Sequence, residues 1–147
     1  LRENGEYQLT NVLESLKQQG AKFIPGTVNA WMDCGKKDPT VDTNTQVLGF
    51  EQEAGNNLVS KDVVLENSEI IQPCFIGENV VLKNTKIGPY VSIGANSIVE
   101  NSTIANSLIQ SNVVISNADL DNAMIGNHAK YNGKYTSVSI GDYTELT

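Results

Sequence analysis

The 147-residue chain is poor in the residues that most often carry chemistry, with one His, two Cys, one Trp and two Met. Cys34 and Cys74 stand far apart with no CxxC or Cys/His pairing, so neither a zinc site nor a disulfide framework is indicated. They read as free thiols of a reducing compartment, which implies a cytoplasmic protein. No apolar run approaches the ~18 residues of a membrane span. No secretory signal is expected either, since Leu1 to Gly5 is polar and the chain starts without methionine. Charged residues make up only 18% of the chain, and the formal charge of −7 comes without a basic stripe, which argues against a nucleic-acid partner. No glycine-rich phosphate cradle is present.

What the chain has instead is a period. From Val59 onward, aliphatic residues return every five or six positions, a spacing that belongs to neither a helix nor an ordinary strand. Taking every third one yields three columns: Ile70/Ile87/Ile104/Leu120, Val59/Ile76/Ile93/Ile109/Ile125/Ile140 and Leu65/Leu82/Val99/Ile115. Each column advances by 17 residues and tightens to 16 or 15 near the end. Such spacing describes a three-sided coil in which each turn buries its apolar face only by stacking on the next. A sandwich of short strands would alternate with period two and would not keep three registers together.

Asparagine repeats in the same rhythm. Asn67, Asn84, Asn101, Asn117 and Asn132 form one series, Asn79, Asn96, Asn112 and Asn127 a second, and Asn106 with Asn122 mark a third corner. Asparagine tolerates positive φ better than other non-glycine residues, and its amide bonds to nearby backbone, so stacked corners should carry amide ladders. Glycines follow the inward aliphatics at Gly77, Gly88, Gly94, Gly126 and Gly141, where backbone must approach closely at a bend. Val80, Val91, Ile98, Val113 and Val114 break the rhythm; they either fill the interior beside the columns or form outward apolar surface for self-association.

The first third is written differently, which divides the chain into residues 1–53 and 54–147. Leu9, Val12, Leu13 and Leu16 fall on one helical face, predicting a helix from about Leu9 to Gln19 with Thr10 as a possible cap and Gly20 as a stop. Ala21–Ile24 and Val28–Met32 read as short strands about a Pro25-Gly26 turn. Asp38-Pro39 opens a second helix over Thr40–Gln52. So small a set of elements lacks most of a core and needs neighbours.

The hexad pattern from about residue 58 to 147 resembles the hexapeptide-repeat, left-handed parallel β-helix family, and the left hand is implied by that resemblance alone. Gly5-Glu6-Tyr7-Gln8-Leu9-Thr10-Asn11 and Trp31-Met32-Asp33-Cys34-Gly35-Lys36 resemble the "GEYQLTD" and "W-x-D-x-G" stretches late in the catalytic domain of sugar-1-phosphate nucleotidylyltransferases. The ending, Ile125 to Lys130 and then Ile140 to Glu145, resembles that of the long-form glucose-1-phosphate thymidylyltransferases. The resemblance implies a mainly β chain in which a small α/β remnant of a nucleotidyltransferase domain precedes the left-handed β-helix.

It further implies an Mg²⁺-dependent transfer of a nucleotidyl group from a nucleoside triphosphate, dTTP in the thymidylyltransferases, to a sugar 1-phosphate such as glucose 1-phosphate, releasing pyrophosphate. Asp33 matches the family's second metal-binding aspartate, and Trp31 would wall the sugar pocket. Asn11 departs from the family's aspartate. The nucleotide loop and the first metal aspartate belong upstream of Leu1, so no catalytic residue is expected in this chain, which should be silent by itself. For Trp31 the competing reading is core packing, and for Asp33 a turn residue before Gly35.

Two other classes stay open at this point. Many hexapeptide coils are acyltransferases with a histidine base, and His128 followed by Lys130, Tyr131, Asn132 and Lys134 would suit an acetyl-coenzyme A site. The third class is structural, with the coil serving as the contact of a symmetric homo-oligomer.

Overall fold

The computed structural model describes residues 2–3, 6–133 and 135–146. It divides into two compact units, Leu1–Trp31 and Met32–Thr147. The first contains a short antiparallel pair, Arg2–Glu3 with Glu6–Tyr7, and helix α1, Leu9–Gln18. Gln8, extended at φ −92° and ψ 125°, precedes the helix without a side-chain cap, so Thr10 lies inside the first turn and does not cap it. The segments Ala21–Ile24 and Val28–Met32 form no strand. Phe23, Ile24 and Val28 are exposed there, and a strand has no ladder to enter without a neighbour.

The second unit is a parallel β-helix. Face one stacks Val64–Glu66, Val81–Lys83, Ile98–Glu100, Val114–Ser116, Lys130–Asn132 and Glu145–Leu146. Face two stacks Glu69–Ile70, Lys86–Ile87, Thr103–Ala105 and Asp119–Asp121, and face three Cys74–Ile76, Val91–Ile93, Ser107–Ile109, Met124–Ile125 and Ser139–Ile140. Every neighbour within a face is parallel, and the registers pair Ile70 with Ile87, Ile76 with Ile93 and Leu82 with Val99. All three aliphatic columns therefore stand as vertical files. The last continues beyond Ile115 into Tyr131 and Leu146.

The turns are bonded to one another as in any sheet, and the ladder continues through the bends, for example from Gly77 N–H to the Ile93 carbonyl at 2.9 Å. Two residues before each aliphatic lies a second inward position reserved for small side chains. Val80, Ser97, Val113 and Ala129 make one such column, Cys74, Val91, Ser107 and Ala123 another, all of them buried. Val80, Val91 and Val113 thus fill the interior, whereas Ile98 and Val114 point outward. Where the column holds serine, the hydroxyl replaces a backbone partner: Ser107 donates to the Ala105 carbonyl and accepts from Ala123 N–H at 3.0 Å.

The corners are the left-handed positions. Asn67, Asn84, Asn101 and Asn117 hold φ between 47° and 52°, and their amides chain upward at 2.9, 3.2 and 3.4 Å. Asn79, Asn96 and Asn112 form the second corner, but its next residue is His128 at φ 58°, followed by Tyr143 at φ 59°; Asn127 sits one place earlier and accepts from Ser111 N–H. Asn132 likewise lies level with Ser116, still accepting the Asn117 amide, while Gly133 stands in the place of the corner residue, donating its N–H to the Ser116 carbonyl without a left-handed φ. These laps are 16 residues long, as the pairing of Ile109 with Ile125 and of Ile115 with Tyr131 shows, so the corners fall one place beyond the asparagines spaced by 15. Tyr90 joins Asn106 and Asn122 at the third corner.

Gly88 is required by geometry, at φ +105° with the Ile71 carbonyl in the space a Cβ would occupy and the Cys74 sulfur 2.8 Å from it.

Helix α2, Lys37–Glu53, belongs to the unit with the coil, although the division at residue 53 places it with the first segment. Lys36 precedes it, with Asp38 and Pro39 in its first turn. Val41 and Leu48 are buried, and Asn44 between them accepts from the Ser92 hydroxyl of face three and donates to the Tyr90 carbonyl. At its start, the Lys37 ammonium donates to the Asn122 carbonyl and the Ser137 hydroxyl, both at 3.0 Å. The helix covers face three.

Truncating a file should cost more than altering an outer face. Ile93→Ala is expected to lower unfolding free energy by about 2–5 kcal/mol, and Thr103→Ala, outward on face two, to stay within about 0.5 kcal/mol. Urea unfolding followed by circular dichroism measures both; equal losses would refute the stacked core.

Candidate functional site

Trp31 and Asp33, the two positions implied for substrate and metal, come from the irregular stretch between α1 and α2. Trp31 is 83% exposed, so core packing within this chain does not explain it. Asp33 is exposed, and its Oδ1 accepts the Gly35 N–H at 2.9 Å, the two-residue reach of an aspartate turn. The turn therefore presents a carboxylate to solvent. Among the described residues no group of three or more His, Cys, Asp or Glu is gathered to hold a metal. Magnesium is typically bound by one or two carboxylates with phosphates and water completing an octahedron. Asp33 can supply one such oxygen, and the described residues alone do not build the site.

The described residues of the acyltransferase grouping are placed as follows. His128 occupies a left-handed corner with its ring stacked on Tyr143, centroids 4.6 Å apart and planes within 8°. No carboxylate orients the imidazole among the described residues. Lys130 is ion-paired with Glu145. Tyr131 points into the coil, where its hydroxyl donates to the Tyr135 carbonyl and accepts the Tyr135 N–H. Asn132 belongs to the amide ladder. Lys134 of that expected cluster, and Gly5 of the first motif, lie outside the described residues.

The grooves of the coil are shallow and their polar groups are engaged. One, about 770 Å³, runs along the Asn67/Asn84/Asn101/Asn117 corner, and those amides bond to one another while Lys86 pairs with Glu69. A second, about 420 Å³, lies between the end of α2 and the first turn, lined by Leu48, Gln52, Gln72 and Cys74. Neither gathers a nucleophile, base and electrophilic donor.

Among the described residues, three ionisable groups are displaced from their ordinary values. Hydrogen bonding from Lys37 and then Asn122, with the Lys37 charge beside it, holds Asp38 below the usual carboxylate range. Asp62 is lowered chiefly by the Ser60 hydroxyl and also accepts the Asn79 N–H. Burial pushes the Cys74 thiol up. All three serve the coil: Asp38 ties α2 to Asn122, Asp62 bonds the first turn to the second, and Cys74 fills a small interior position.

The anchoring residues Lys37 and Asn44 were missed in sequence. Lys37, Val41, Asn44 and Leu48 recur at 4, 3 and 4 residues, one helical stripe. That stripe was the available signal. No helix among the described residues is long and apolar enough to cross a membrane. A scan against protein-family models and a search of curated proteins find no match to the chain.

Exposed Cys34 should react with a disulfide reagent within seconds to minutes in native protein, and buried Cys74 only on unfolding. Thiol titration with and without denaturant counts them; two fast thiols would contradict the packing at Cys74. For Asp38, a carboxyl lowered on folding stabilises above the ordinary aspartate range and loses that contribution as pH falls through its folded value. Asp38→Asn should therefore flatten the acid limb of stability below about pH 4. Thermal melts from pH 7 to 3 read the change, and an unaltered acid limb would count against the link.

Proposed function

We propose that the chain works as part of a sugar-1-phosphate nucleotidylyltransferase, with the β-helix as its assembly element. In that reaction an oxygen of the sugar 1-phosphate attacks the α-phosphorus of a nucleoside triphosphate, and the bond to the β-phosphate oxygen breaks to release pyrophosphate. The nucleotide loop would be supplied by sequence outside these 147 residues. Glucose 1-phosphate and dTTP are the substrates the resemblance favours.

One observation supports this reading most strongly: the Gly5–Asn11 and Trp31–Lys36 stretches occur in family order and spacing, directly ahead of a coil. The exposure of the first unit is in keeping with it. Leu9, Val12, Leu13 and Leu16 form one face of α1, none of them buried, and Ile24 and Trp31 are 89% and 83% exposed. Apolar surface of this kind suits a segment of a larger α/β domain. Asp33, presented by its turn, would then contribute one oxygen to a magnesium site completed elsewhere.

The test uses the protein translated with the reading frame preceding Leu1. Pyrophosphate release from dTTP and glucose 1-phosphate is expected, and Asp33→Asn should lower kcat/KM by about 100-fold or more without loss of the coil's circular dichroism. The chain of 147 residues alone should show no turnover. Absence of turnover with every nucleotide and sugar 1-phosphate pair, or an Asp33→Asn enzyme as active as its parent, would overturn the assignment.

A further inference from the structure

The three faces of the coil differ in what they offer to solvent. On each strand of face one the middle residue points inward and the flanking two point outward, so the registers stack two outer rows. One row is Val64, Val81, Ile98, Val114 and Lys130, and the other Glu66, Lys83, Glu100, Ser116 and Asn132. Val64, Ile98 and Val114 are 51%, 38% and 38% exposed. Face two presents Glu69, Lys86, Thr103 and Asp119 outward. Face three has outward Phe75, Ser92, Leu108 and Met124, with α2 packed over it. A β-branched row left open on a flat parallel face is unusual for a surface that meets only water.

The charged row beside it says what covers it. The Lys83 ammonium lies 4.0 Å from Glu66 and 3.7 Å from Glu100, so one cation is shared between two carboxylates at the limit of contact. A net negative row with a central lysine is complementary to its own inverted copy. We infer that face one is the contact of a two-fold homodimer in which two coils lie antiparallel, the axis running along the strands between the Val81 and Ile98 layers. This rests on the reading of the coil as an assembly element and names its face and symmetry.

The register follows from excluding the others. With the axis between those layers, Val81 meets the partner's Ile98, Val64 meets Val114, and each Lys83 faces the partner's Glu100. Lys130 then falls beyond the overlap. Moving the axis onto the Lys83 layer sets lysine against lysine and Glu66 against Glu100. Moving it one layer further along places Val81 against Lys130. Parallel coils would lay the apolar row on the charged row, desolvating Lys83 and both glutamates without partners. An axis between the Val64 and Val81 layers would also set Lys83 on Glu66 but overlaps only two layers; the first arrangement alone pairs four apolar layers and sets Lys83 on an opposite charge, the self-complementarity a two-fold interface requires.

Sedimentation equilibrium of the 147-residue chain at 1–100 μM tests the contact, with circular dichroism to confirm the fold. A dimer is expected. Ile98→Lys should raise its Kd at least 100-fold, and Thr103→Lys on face two should leave it unchanged. Lys83→Glu should weaken it at least tenfold, and Lys83→Glu with Glu100→Lys should restore it. Orientation is read in a C34S background: V81C protein mixed with I98C protein should cross-link faster than either alone. A monomer at 100 μM would overturn the assembly role itself. An oligomer indifferent to Ile98→Lys would overturn only the choice of face. A trimer, or faster cross-linking within V81C and I98C separately, would overturn the two-fold antiparallel arrangement.

Discussion

Everything in the coil depends on each turn finding a turn of the same cross-section above it. A single lap carries three large aliphatics and three small inward residues, too little apolar surface to stay folded alone. Stacked, the same residues become dry files: Ile76, Ile93, Ile109 and Ile125 are each within 1% of full burial. Each such side chain contributes on the order of 1.5–3 kcal/mol on burial. Backbone hydrogen bonds between laps fix the vertical spacing, so a change of register would misalign every file at once.

That constraint explains where the polar residues are. A lap of 17, 16 or 15 residues must close three sharp bends, and the bends fall at left-handed φ, which favours asparagine over other side chains. Stacking then brings amide over amide along Asn67, Asn84, Asn101, Asn117 and Asn132 and from Asn79 to Asn96, while Asn106 and Asn122 donate to Asp121 and Asp38. Inside, serines stand where a small side chain is needed and supply hydroxyls to backbone groups at the bends. Among the described residues no buried side-chain polar atom lacks a partner. The result is an interior that tolerates Ser97, Ser102 and Ser107 without penalty for unpaired groups.

The files were legible in the sequence because their period is long, exact in chemistry and repeated several times. The later turns were harder to read, since the lap there is 16 residues while the asparagines repeat at 15, which places the corners at His128 and Gly133 and not at Asn127 and Asn132. Of the small-residue columns the sequence marks only the valines, Val80, Val91 and Val113, because Val, Ser, Ala and Cys share size and not polarity. Ala21–Ile24 and Val28–Met32 looked like strands because propensity reports on the residue, while a strand exists only with a neighbour. Asp38-Pro39 marks helix α2 in the sequence but not its partner, because Lys37 and Asn44 act through hydrogen bonds to turns distant in sequence.

Function is carried by a thinner record. The coil's described polar groups are largely spent on holding it together, and His128 is a corner residue stacked on Tyr143. Trp31, the Asp33 turn and the apolar residues of α1 are exposed and lie outside the stacked core. The claim on which the rest stands is the vertical file, and isotope-edited methyl NOE spectroscopy with Ile-selective labelling reads it directly. Cross-peaks from Ile93 to both Ile76 and Ile109, and from Ile109 to Ile125, are expected; their absence from a folded protein would contradict the account.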